Sequence, residues 1–150
     1  YEFPFDQRAS IGPAELNASR LPGHEQANEL VFVNGIFSSS LSTIRSEKQL
    51  IVMPLEKAAN NEYRDIVSKH LGHSSNYLKD GINALNTAFA QGGVFIYVKE
   101  KQITPHPVYI YNITDTRAGN IFSQPRSLAY LGENSHFLSK QSSSFDHTPF

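Results

Sequence analysis

Residues 84–98 read ALNTAFAQGGVFIYV and change period within two residues. Before the glycine pair, Ile82, Leu85 and Phe89 recur at helical spacing. Asp80 stands where a helix cap belongs, and Gly92 and Gly93 where a helix ends. After the pair, Val94, Ile96 and Val98 alternate with Phe95 and Tyr97, the period of a strand. Val108 and Ile110 then alternate with Tyr109 and Tyr111. β-Branched residues therefore line one face and aromatics the other, and both faces need cover. The pattern places Val94, Ile96, Val98, Val108 and Ile110 inward. Two more short strands are expected at Leu128 to Leu131 and His136 to Ser139, broken at Gly132. Short strands joined by corners and covered on both sides suit a solenoid or sandwich, although strand starts at 94, 108, 128 and 136 show no fixed repeat.

The upstream half reads differently. Pro4, Pro13 and Pro22, with Gly12 and Gly23, leave no room for a long element and predict an irregular lead-in. Leu30 to Val33 is a strand run, Asn34-Gly35 fits a type I′ turn, and Ile36-Phe37 starts the return strand. QLIVMP reads as a strand closed by Pro54, and LEKAANN as a helical stretch. Tyr63, Ile66, Val67, His70 and Leu71 then share one helical face, with Asn60 or Asn61 as N-cap and Gly72 at the end.

A chain of 150 residues with a formal charge of -1 and a pI near 6.6 can bury one core, and it offers neither a basic stripe for nucleic acid nor an acidic tail. No window reaches the roughly 18 apolar residues of a membrane span, and YEFPFDQRAS lacks the pattern of a signal peptide, so a cytoplasmic location is expected. Zero cysteine removes disulfides, thiolate nucleophiles and sulfur ligands from the chemistry open to these residues. The start without methionine and the finish in SSSFDHTPF read as a piece of a longer chain.

No constellation carries catalysis. His70 and His73 stand three apart with Gly72 between them, not on one helical face, and His70 reads as a core-edge residue. His106 lies between two prolines, and His136 follows a corner. SSSLS and QSSSF lack the G-x-S-x-G elbow and read as solvated turns. The order helix, glycines, strand is the reverse of a dinucleotide loop. Tyr97, Tyr109 and Tyr111 could form a partner surface, but they read better as packing under the N-terminal helices. The acids after residue 94 (Glu100, Asp115, Glu133 and Asp146) are isolated, which argues against a carbohydrate-active solenoid enzyme. No catalytic, cofactor-binding or metal-ligating residue is assigned.

The segments LVFVNGIFSSSLS, HLG, ALNTAFAQGGVFIYV and QPRSLAYLGENS occur in an order that resembles the SufB/SufD family of iron-sulfur cluster assembly proteins, nearest its SufD branch, over residues 30–138. The resemblance implies an α+β lead-in of hairpin and short helices over residues 1–93, running into a right-handed parallel β-helix over 94–150. It further implies a non-catalytic scaffold subunit that binds no cofactor of its own, with SufB-like and SufC-like (ATPase) partners and a possible homodimer. KEKQITPHP is more polar than the corresponding turn of the family. The family's SufC-binding and cluster-assembly residues lie further along, so none is transferred here. The alternatives are a β-solenoid ligand-binding or oligomerising module and, behind it, a carbohydrate-active β-helix enzyme. Hexapeptide-repeat acyltransferases are excluded by the missing repeat.

Overall fold

Asn34 and Gly35 carry φ of 51° and 81°, the left-handed pair that a two-residue hairpin between right-twisted strands requires. The turn joins β1 (Asn28–Val33) to β2 (Ile36–Thr43), with Val33 opposite Ile36 and Phe32 opposite Phe37. The computed structural model describes residues 11–71, 92–117, 121, 123 and 126–146. Its remaining elements are α1 (Pro13–Ser19), a 3₁₀ turn (His24–Gln26), β3 (Leu50–Pro54), α2 (Leu55–Ala59), α3 (Arg64–His70), β4 (Gly93–Val98), β5 (Val108–Asp115), β6 (Arg126–Leu131) and β7 (Ser139–Asp146). The helix expected before Gly92 lies outside the described residues.

The strands form two sheets. One has the order β2-β1-β5-β7, the other β3-β4-β6. β2 and β3 run antiparallel to their neighbours, whereas β1/β5, β5/β7 and β4/β6 are parallel. Gly93 pairs with Arg126, Ile103 bridges His136 and Val108 pairs with Ser139, so a residue here lies beside the one 31 to 33 positions further along. The corners stack as well: Lys101 N donates to Glu133 O at 2.9 Å, Thr104 N to His136 O at 3.1 Å, and Val108 N to Leu138 O at 2.7 Å. Both sheets take strands from either side of residue 93, because β1 pairs with β5 and β3 with β4.

Alternation along the strands sorts the side chains into three layers. Leu30, Phe32, Leu50, Val94, Ile96, Val98 and Val108 are buried between the sheets, with Ile110 packed against them. The inward set expected from the sequence thus lies in this layer. Phe95, Tyr97, Leu128 and Tyr130 face the other way, under Leu55, Ala58, Tyr63 and Val67 of the α2–α3 segment. Val31, Tyr109, Tyr111 and Ile113 form the outer face of the four-stranded sheet, under Ile11 and Leu16 of the lead-in.

Gly93 opens β4 at a close approach of two backbones. Its φ is 124°, and a Cβ there would lie 1.9 Å from Arg126 O, so β4 and β6 reach this approach only without a side chain.

Several expectations are corrected. β7 begins at Ser139 rather than ending there, and His136 makes only an isolated bridge to Ile103. The two serine runs expected as turns are strands: Ser38 to Ser42 lie in β2 and Ser142 to Ser144 in β7. Both are edge strands, where ladder bonds to β1 and β5 fix the backbone and hydroxyls are tolerated on exposed faces. α3 starts after Tyr63, whose amide donates to Asn61 Oδ1 at 3.0 Å. Its buried residue is Val67, whereas His70 and Leu71 are exposed.

Candidate interaction surfaces

The described histidines do not converge. His24 sits beside Glu25 and Glu29 in the lead-in. His70 lays its ring 5.3 Å from that of Tyr130. His106 is half-buried and offers its carbonyl to Asn28 Nδ2 at 2.9 Å, and His136 is exposed in a corner. His73 lies outside the described residues. Among the described residues no group of three or more His, Cys, Asp or Glu could hold a metal ion, and no helix is long and apolar enough to cross a membrane.

The three tyrosines do not share a face. Tyr97 packs at a tilt against Tyr63 at 5.7 Å and Tyr130 at 5.8 Å on the outer side of the three-stranded sheet. Tyr109 and Tyr111 lie on the outer side of the other sheet, 4 % and 1 % exposed. The strands carrying Tyr97 and Tyr109 belong to opposite walls, which period-two alternation alone cannot reveal. Packing under N-terminal segments, the expected role, holds for all three. Burial pushes the Tyr111 and Tyr63 hydroxyls above the usual phenol range.

Two buried carboxylates escaped the sequence reading. Glu29 is 2 % exposed. Arg20 grips it from two nitrogens, Nε to Oε1 and Nη2 to Oε2, each at 3.2 Å, and His24 Nδ1 lies 3.7 Å from Oε1. A charged residue inside the apolar run NELVFV was the available signal. Asp115, 5 % exposed, takes Arg117 Nε on Oδ1 at 2.8 Å and Nη2 on Oδ2 at 2.9 Å. Those bonds hold its carboxyl below the usual carboxylate range against the opposing effect of burial. Its amide donates to Asn34 Oδ1 at 2.8 Å, and Arg117 Nη1 reaches Glu15 Oε1 at 3.7 Å. The Asp115 amide thereby ties β5 to the hairpin turn, and Arg117 ties it to α1.

Among the described residues, β6 and β7 end the two sheets and carry exposed positions. Val94, Ile96 and Val98 are matched in register by Ser127, Ala129 and Leu131; Val108 and Ile110 are matched by Ser139 and Gln141. The first three of these five are nearly inaccessible, at 0 %, 1 % and 0 %, while Leu131 is 40 % exposed and Ser127, Ala129, Ser139 and Gln141 are also exposed. Among the described residues β6 and β7 are the edge strands at this end of the interior layer, against which Phe137 also packs.

The family model of the SufBD protein N-terminal region matches residues 15–110, well over half of the chain. An iron-sulfur cluster assembly SufBD family protein of Pyrococcus horikoshii is 33 % identical over 66 residues, which span 44 % of this chain and 15 % of that protein. The matched model covers the hairpin, α2, α3, β4 and the start of β5, the elements that cover and enter the stacked strands. The chain belongs to the SufBD family.

Proposed function

We propose that this chain serves iron-sulfur cluster assembly as part of a non-catalytic, SufD-like scaffold subunit, working with SufB-like and SufC-like partners in the cytoplasm. The family match carries this reading, and the name of the archaeal relative supports it. The cluster is cargo of the complex, not a resident cofactor of these residues. The parallel pairing at 31 to 33 residues on two walls, with stacked corners between them, supports a right-handed parallel β-helix that starts near residue 94. On this reading, residues 1–93 act as the lead-in and contribute β1 and β3 to the first turns.

Support rather than chemistry fits the layout, because buried polar groups here tie segments to one another. Asn28, Glu29 and Asp115 each join a strand to a connecting segment. The test is co-purification of the protein from its source cell with SufB-like and SufC-like subunits, followed by anaerobic reconstitution of the isolated chain with iron and sulfide. Recovery of both partners and a colourless isolated chain are the expected results. A stable, stoichiometric cluster chromophore on the isolated chain, or recovery of neither partner, would reject the reading. The exposed edges of β6 and β7 favour one second reading, an oligomerising module. Self-association without those partners distinguishes it.

A further inference from the structure

Residues 11–23 lie across the outer face of the four-stranded sheet and hold it by one deep apolar anchor and several polar tips. Leu16 is the anchor, 1 % exposed, with Ile11 beside it at 9 %. Leu21 N donates to Tyr111 Oη at 3.3 Å, and Tyr109 Oη donates to Pro22 O at 3.2 Å. Arg20 closes on Glu29. Glu15 Oε1 also meets Arg117 Nη1 at 3.7 Å, so the groups that the lead-in satisfies are two phenol hydroxyls, a carboxylate and a guanidinium that Asp115 holds as well. Water satisfies such groups in place of the lead-in, so lifting it strands none of them.

The segment cannot hold itself in place. α1 has seven residues, too few for a stable helix in water. Beneath it, β1 and β5 share a ladder and carry the interior layer on their other face. A bend is available at Pro22–Gly23, where Gly23 has φ 82°. Just past it the chain is fixed, with Ala27 and Asn28 both at 0 % exposure.

We propose that residues 11–23 form a strap that opens as a unit about Pro22–Gly23 while both sheets stay folded, with the Glu29 carboxylate as its latch. Opening uncovers Val31, Tyr109, Tyr111 and Ile113, an apolar face edged by hydroxyls and one carboxylate. This is the behaviour of a low-stability unit on a more stable platform, and it does not rest on the iron-sulfur reading.

Hydrogen exchange of the full 150-residue chain, read by mass spectrometry, tests it. In the unaltered protein the strap amides should exchange much faster than those of β5. Glu29→Gln should accelerate strap exchange about tenfold or more and leave β5 at its original rate. Tyr111→Phe removes the hydroxyl that accepts from Leu21 N but keeps the ring, and it should act in the same direction. It supplies the reading if Glu29→Gln does not fold. Strap and β5 amides exchanging at one common rate would show that they open together and would overturn the proposal. Fast strap exchange that neither substitution changes would overturn the latch.

Discussion

The side chain of Asn28 holds Ser46 from both of its ends: Nδ2 donates to Ser46 Oγ at 3.2 Å, and Oδ1 accepts from Ser46 N at 2.9 Å. The same oxygen accepts from Arg45 N at 2.8 Å, and the same nitrogen donates to His106 O at 2.9 Å. One fully buried amide thus joins β1, the connection into β3 and the corner before β5. Asn28→Ala should cost about 2–4 kcal/mol, because it leaves several buried backbone groups unpaired. Asn28→Asp should be nearly as harmful, since a carboxylate cannot donate to the His106 carbonyl. Denaturant unfolding of both variants measures this.

Gly93→Ala should destabilise by roughly 3 kcal/mol or more, through the combined strain of positive φ and overpacking. The added methyl would fall 1.9 Å from Arg126 O, and β4 and β6 would have to part. Ser127→Ala, at an exposed position of β6, is the control and should change the unfolding midpoint little.

Ile96 and Ile103 are 1 % and 69 % exposed. Ile96→Asp should cost several kcal/mol by burying a charge without a partner, whereas Ile103→Asp should stay within about 0.5 kcal/mol. Thermal unfolding of the two variants under one condition decides whether the inward face is correctly placed.

Asp115 gives the protein an acid-sensitive contact. Its folded-state carboxyl titrates below the unfolded one because of the Arg117 hydrogen bonds. Its contribution is therefore complete above the ordinary carboxylate value of about 4 and fades as the pH falls through the lowered folded value. Arg117→Ala should be clearly less stable than the unaltered protein at neutral pH, with the gap narrowing steadily toward acid. Unfolding curves collected between those limits check the sign, and a gap that widens in acid would contradict it.

Local chemistry made the first half legible. Asn34-Gly35 announces its turn, and Leu30 to Val33 and Leu50 to Pro54 announce their strands, because a turn type and an apolar run are properties of a few adjacent residues. β7 was hidden for the opposite reason. SKQSSSFD has little strand propensity of its own and is extended because β5 offers it a ladder, a fact about residues some thirty positions earlier. The two-wall arrangement was likewise invisible: Tyr97 and Tyr109 share a pattern yet face opposite exteriors. Glu29 carried a faint mark as a charge in an apolar run, but its partner Arg20 could be named only once the lead-in was seen folded over the sheet.

The opposing directions of β2 and β3 give the molecule a vectorial character. Each sheet has an antiparallel strand at one edge and a parallel strand at the other. β6 and β7 run with the strands they pair with, β4 and β5. At the far edges β2 and β3 run against theirs, β1 and β4. The hairpin and β3 therefore make the two edges of each described sheet unlike: one edge strand opposes its neighbour, and the other runs with it.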